Sequence, residues 1–134
     1  MSAMTAFPES HKDLLDAPVA ALTTNGAHGY PQSTLLWFLH DGDELRTSLS
    51  MNRQKTKNLL KDPKVSLLII DYANPQRYLE VRGNAVITPD DDFSFANRLG
   101  AKYGADLSAY DPPGTKRLQV TIEPTNVYAV DMSA

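Results

Sequence analysis

The ten residues Ser50-Met51-Asn52-Arg53-Gln54-Lys55-Thr56-Lys57-Asn58-Leu59 mark the place where a strand gives way to a helix. Residues 45–49 read as the return strand of a hairpin. From residue 53 to 60 helix formers replace strand formers, and Asp62-Pro63 ends the helix, because a proline disfavours α-conformation at the residue before it. The charges are the unusual part. Arg53, Lys55 and Lys57 fall in the opening turns, where unsatisfied backbone N–H groups already carry partial positive charge. If exposed, each misplaced cation costs about 0.3–1 kcal/mol. A bound phosphate removes the conflict, since backbone donors and basic side chains then converge on one anion. Ser48, Ser50 and Thr56 add hydroxyl donors at the same point. A solvated basic helix face, relieved by water and salt, accounts for this stretch equally well.

Working outward, a short helix fits residues 11–16 before Pro18, and residues 19–24 read as a strand closed by Asn25-Gly26. Residues 32–40 are rich in strand formers and end at Asp41-Gly42-Asp43, a strong hairpin signal leading into 45–49. Beyond the basic helix, residues 65–72 form a nearly continuous apolar run, expected to be a strand buried on both faces. Residues 78–88 alternate, with Leu79, Val81, Gly83, Ala85 and Ile87 on one side. Asp90-Asp91-Asp92 opens a second helix through about Tyr103; acids at its start and Lys102 near its end follow the helix dipole. A Pro/Gly loop over residues 104–115 leads to a last strand, 117–130, notched at Pro124. Six strands joined mostly by hairpins, with few helices, predict an antiparallel barrel rather than a doubly wound sheet.

With 134 residues and no long Ser/Gly/Pro-rich stretch, residues 1–134 are expected to form one domain. The absence of cysteine excludes disulfides, thiolate metal sites and cysteine nucleophiles, and fits a reducing compartment. Residues 1–9 lack the pattern of a secretory leader, and no apolar run approaches the roughly 20 residues that span a bilayer, so a cytoplasmic protein with no membrane partner is expected. The formal net charge is −3, yet Arg53, Lys55, Lys57, Lys61 and Lys64 cluster in one short stretch. Local positive charge on an acidic chain suits a small anion and argues against a nucleic-acid partner. His11, His28 and His40 have no metal-ligand spacing, so no metal site is expected. No Gly-x-Ser-x-Gly elbow marks a hydrolase. Trp37 and Phe38 read first as core, with Trp37 the better placed for a pocket.

The ordered series resembles a known superfamily over about residues 14–130. A strand pair round an Asp-Gly hairpin leads into Arg53-x-Lys55-Thr56-Lys57-Asn58-Leu59, then Asp62-Pro63-Lys64-Val65. Tyr78-Leu79-Glu80-Val81-Arg82-Gly83, the helix to Tyr103-Gly104, and Glu123-Pro124-Thr125-Asn126-Val127-Tyr128 complete it. This is similar to the pyridoxamine 5'-phosphate oxidase-like split β-barrels, and the basic motif is most similar to the branch that uses the deazaflavin coenzyme F420. The resemblance implies a mainly β (α+β) fold of the FMN-binding type: a six-stranded antiparallel split β-barrel with short helices. It implies an F420-dependent oxidoreductase that passes a hydride between cofactor and a small organic substrate. An FMN-dependent oxidase or reductase, or a non-catalytic F420 carrier, are the alternatives. Arg53, Lys55 and Thr56, with the backbone of Gln54, would hold the cofactor phosphate; Lys57 and Asn58 could reach its tail. The ring would lie against residues 33–37 and 47–50, bringing in Thr34, Leu36, Trp37, Ser48 and Ser50. Tyr78 would come from the second subunit of a homodimer with its site at the interface. No catalytic side chain is named by the motif. The Arg-rich strand and C-terminal Arg motif of the oxidases proper are missing, which argues against a vitamin B6 substrate.

Overall fold

Residues 31–41 close the barrel. In the computed structural model, which describes residues 7–133, strand β1 (Ala20–Asn25) turns into β2 (Pro31–Leu36), and only two residues later the chain enters β3 (Leu39–Asp41). Then follow β4 (Glu44–Ser50), helix α1 (Gln54–Lys61), β5 (Lys64–Ile70), β6 (Arg77–Pro89), helix α2 (Ser94–Tyr103) and β7 (Arg117–Asp131). All strands join one antiparallel sheet of order β2-β1-β5-β6-β7-β4-β3. The two ends of that order, β2 and β3, are consecutive in sequence. A two-residue link can join opposite sheet edges only if the sheet curls until they meet, which makes it a half-open barrel. Residues 1–6, on which part of the leader reading rests, lie outside the described residues.

The sheet has seven strands, because the single strand expected over residues 32–40 is broken at Trp37-Phe38. Its first half pairs with β1 and its second with β4. At the break no ladder can form, so side chains take up the backbone polar groups. Thr47 Oγ1 donates to the Trp37 carbonyl at 2.7 Å. Lys102 Nζ donates to the Phe38 carbonyl at 2.9 Å and to Ala17 O at 3.0 Å. The Tyr103 hydroxyl lies 3.3 Å from Phe38 N, from which it accepts, and 3.2 Å from Phe38 O.

Strand alternation places Leu22, Leu45, Leu67, Ile69, Leu79, Val81, Val120 and Ile122 inside, with Phe38 fully buried among them. The run expected to be covered on both sides is covered on one. Val65, Leu67 and Ile69 are buried, whereas Ser66, Leu68 and Ile70 face outward and stay half-buried. Pro124 is tolerated in the middle of β7 because the register shifts there: Arg82 stands opposite Asn126 and Gly83 opposite Pro124, leaving Thr125 as the bulged residue. Thr125 Oγ1 donates to Arg82 O at 3.2 Å, which fixes the bulge.

The second helix begins at Ser94 rather than Asp90, and the acids before it are its caps. Buried Asp90 accepts from Phe95 N at 3.0 Å and Ala96 N at 2.9 Å, and Asp92 accepts from Ser94 N at 3.1 Å. The first segment is a 3-10 turn, Glu9–Asp16. Arg77 holds it to the β5–β6 corner through Asp13 and Asp71, each at 3.0 Å, and His11 Nε2 donates to Val130 O at 3.0 Å. Among the described residues no helix is long and apolar enough to cross a membrane.

The bulge supplies a stability test. A Cβ on Gly83 would lie 2.2 Å from the Glu123 carbonyl oxygen, so backbone would have to move. Gly83→Ala is expected to destabilise the protein by about 1–3 kcal/mol, the cost of overpacking, as measured by urea unfolding.

Candidate functional site

Among the described residues β2 pairs only with β1, and β4 beyond Arg46 pairs only with β7. The barrel therefore has a seam with unpaired edges on both sides, bridged at one end by Thr47 and Trp37. At the other end stands the start of α1. Thr56, fully buried, donates from Oγ1 to Ser50 O at 2.8 Å and fastens the helix to the end of β4. Asn58, also buried, donates from Nδ2 to Thr24 Oγ1 and to Gln32 Oε1, both at 3.0 Å, and accepts from Gln54 Nε2 at 2.9 Å. These bonds tie the helix to β1 and β2, so the seam is spanned and the helix start is held rigidly over it.

The two helices solve their N-termini in opposite ways. Asp90 and Asp92 cap α2, whereas α1 has Arg53 at its cap with no side-chain bond and no acid in its first turn. The N–H groups of Gln54, Lys55 and Thr56 have no acceptor among the described residues. Lys55 enters this position with only 5% of its surface exposed. Its Nζ donates to Thr34 Oγ1 at 3.1 Å, and no carboxylate among the described residues pairs with it. Burial, and secondarily the Arg53 charge, holds the Lys55 ammonium below the ordinary lysine range. A buried cation with one neutral partner, beside three free amides and an exposed Arg53, is an arrangement whose chemistry favours an anion.

The structure brings together Arg53, the amides of Gln54, Lys55 and Thr56, the Lys55 ammonium and Thr34. Lys57 is exposed one turn further on. Asn58 lies at the same place, but its amide is spent on strand contacts. Ser50 donates to Asn52 Oδ1 at 2.8 Å, and Ser48 is buried on β4 against Arg117. Leu36 faces the core, and Trp37 stacks on Tyr103 with ring centres 4.1 Å apart and planes 9° from parallel. Tyr78 stands apart within one chain, on the outer face of β6 three strands from β2. Nothing in the sequence pattern singles out Arg117. Its forked ion pair with Asp111, at 2.7 and 2.8 Å, locks the loop before β7 behind Ser48. The two residues are six apart, Asp111 in the loop and Arg117 at the start of β7, where no periodicity flags a pair.

The family profile described as "Pyridoxamine 5'-phosphate oxidase" matches residues 7–131. Among solved structures, one titled "F420 Reductase" is 36% identical, covers 91% of this chain and 98% of its own, and superposes with a TM-score of 0.81. A conserved hypothetical protein from Mycobacterium tuberculosis is 25% identical over 96% of this chain and 88% of its own, with a TM-score of 0.72. The heme storage protein HutZ from Vibrio cholerae, 15% identical with a TM-score of 0.68 over 96% of this chain and 99% of its own, shares the fold alone. A search of the curated proteins finds no match.

The buried lysine gives the site a stability signature. Because its pKa is depressed in the folded chain, the unfolded chain binds more protons between the two values, and ligand-free stability rises with pH through that alkaline window. Lys55→Met is expected to flatten this rise and to stabilise the ligand-free protein near neutral pH by about 1 kcal/mol, while abolishing anion binding. Urea unfolding across pH, with and without inorganic phosphate, measures both effects.

Proposed function

The chain belongs to the pyridoxamine 5'-phosphate oxidase family, and on that footing we propose that it is an oxidoreductase that binds reduced coenzyme F420 at the start of α1 and acts on a small organic substrate. The observation that carries this reading is the buried, unpaired Lys55 ammonium beside free helix N–H groups. It is a phosphate site by chemistry, and the basic motif and the 36% identical relative titled "F420 Reductase" favour the deazaflavin. Fold alone would not suffice, since split barrels serve several ligands.

When bound, the cofactor supplies the hydride chemistry. The chain's own residues do the rest. Arg53, Lys55 and the amides of 54–56 hold the phosphate, and Thr34 aims the Lys55 ammonium. The edges of β2 and β4 that carry Thr34, Leu36, Ser48 and Ser50 flank the ring. Trp37, backed by Tyr103, walls the seam at the far end. Position and exclusion of water are the protein's contribution.

A second copy of the chain completes the site. The outer face carries an uncovered apolar row in which Leu35, 72% exposed, stands beside Ala21 and then Leu68. Ile70 and Tyr78 extend this face. Docking of two such faces hides surface that the single chain leaves in water, and it brings Tyr78 of one copy toward the seam of the other. A cytoplasmic location accords with the cysteine-free composition.

Titration of the purified protein with coenzyme F420 and with FMN tests the reading. Binding of the deazaflavin in preference is expected, and tight FMN binding with none for the deazaflavin overturns it. Arg53→Ala with Lys55→Ala removes charge-assisted hydrogen bonds worth roughly 1.5–3 kcal/mol each, so affinity is expected to fall at least a hundredfold. Binding with no turnover across enones, quinones and nitro compounds identifies a carrier instead. Leu35→Lys is expected to yield monomers by analytical ultracentrifugation and to weaken cofactor binding in step.

A further inference from the structure

The indole of Trp37 stands where β2 ends, outside the buried core cluster and half-buried at the rim of the seam. Tyr103, at the end of α2, lies flat against it, with ring centres 4.1 Å apart and planes 9° from parallel. The same tyrosine accepts from Phe38 N through its hydroxyl at 3.3 Å, while Thr47 Oγ1 donates to Trp37 O at 2.7 Å. The peptide that joins Trp37 to Phe38 is therefore held at both its carbonyl and its amide. Core filling at this point falls to the fully buried Phe38, and closure of the barrel to hydrogen bonds. Neither task accounts for a second large ring laid against Tyr103.

Position along the seam gives the ring a use. Thr34, which receives Lys55 Nζ at 3.1 Å, marks the phosphate end. Trp37 follows three residues later, about 10 Å along a strand. A short carbon linker and a tricyclic ring cover that distance, so the reactive end of the ring comes near the indole. Tyr103 takes one face of the indole, and no other aromatic ring or cation stacks on it among the described residues. A ring clamped in one pose gives up little freedom when a ligand lies on its other face. That face carries the negative side of the aromatic quadrupole, which suits an electron-poor flat ring in an offset stack. A ring with methyl groups off its plane cannot approach so closely.

We propose that Trp37, clamped by Tyr103, is the specificity-determining face of the site and selects flat, conjugated electron acceptors over acceptors with groups off the ring plane. Trp37 meets the substrate rather than the cofactor ring, and Tyr103 is a positioning residue that acts through it. This rests on the deazaflavin reading above, because the bound cofactor supplies the hydride.

The test uses the full chain loaded with reduced coenzyme F420 and two acceptors. One is menadione, a flat quinone; the other is ketoisophorone, an ene-dione whose paired methyl groups stand off the ring plane. For each acceptor, the ratio of variant to unaltered kcat/KM removes the difference in intrinsic reactivity. Trp37→Leu is expected to cost menadione about two- to tenfold more than ketoisophorone, the worth of one aromatic stack, chiefly through KM. Trp37→Phe is expected to restore part of the preference, and Tyr103→Leu to reproduce the loss. Thermal unfolding verifies that the variants fold. A second measurement needs no variant, because Trp37 is the only tryptophan of the chain and its emission reports the stack directly. With oxidised cofactor bound, saturable quenching by menadione and none by ketoisophorone is expected. Equal losses for both acceptors, weaker cofactor binding in Trp37→Leu with no change of preference, or quenching that never saturates overturns the stacking face and leaves the deazaflavin reading intact. No turnover of either acceptor by the unaltered protein overturns that reading, and the proposal with it.

Discussion

Between Leu36 and Leu39 the chain leaves one edge of the sheet and joins the other, and the backbone groups in that gap can find no strand to pair with. Thr47, Lys102 and Tyr103 supply the missing partners. Everything else depends on this closure. It curls the sheet and brings the C-terminus of α2 against the barrel end. It also leaves β2 and the second half of β4 facing each other across a seam that hydrogen bonds do not close. Lys102 is half-buried in this work, its ammonium 4.2 Å from the Phe38 ring centre and held below its ordinary pKa by desolvation. A cation in that position is tolerable because two carbonyls and an aromatic face surround it.

Lys55 sits at the other end of the seam, more deeply buried than Lys102 and in poorer company: one threonine hydroxyl. The two lysines differ in what surrounds them. Lys102 is satisfied by two carbonyls and an aromatic ring of the fold, whereas Lys55 has one neutral partner among the described residues. Thr56 and Asn58 show how that conflict is sustained. Their buried hydrogen bonds hold the helix start in place at a point where its own charges oppose the helix dipole. The site is rigid because its neighbours are satisfied, and receptive because it is not.

The open face of β1, β2 and β5 extends the same logic outward. Leu35, Ala21 and Leu68 form an apolar row that the described residues of one chain leave uncovered, as they leave Lys55 without a counter-charge. One deficit is apolar and the other is charged.

Much of this was legible in the sequence. Alternation in residues 78–88 set the inward face of β6, Asp90 and Asp92 announced the caps of α2, and the run of cations after Ser50 marked the uncapped start of α1. These are local facts, because strand pleat, capping and helix dipole all act within a few residues. The seventh strand, the seam, the spending of Asn58 on strand contacts and the Arg117–Asp111 lock were not legible. They arise where residues far apart in sequence must satisfy each other's polar groups, as Thr47 does for Trp37 and Lys102 for Phe38. The sequence by itself determined where most strands and both helices lie and where cations gather at a helix start. Only the tertiary structure decided that Lys55 is buried without a counter-charge, because burial and the absence of a partner are properties of the folded surroundings rather than of the residue.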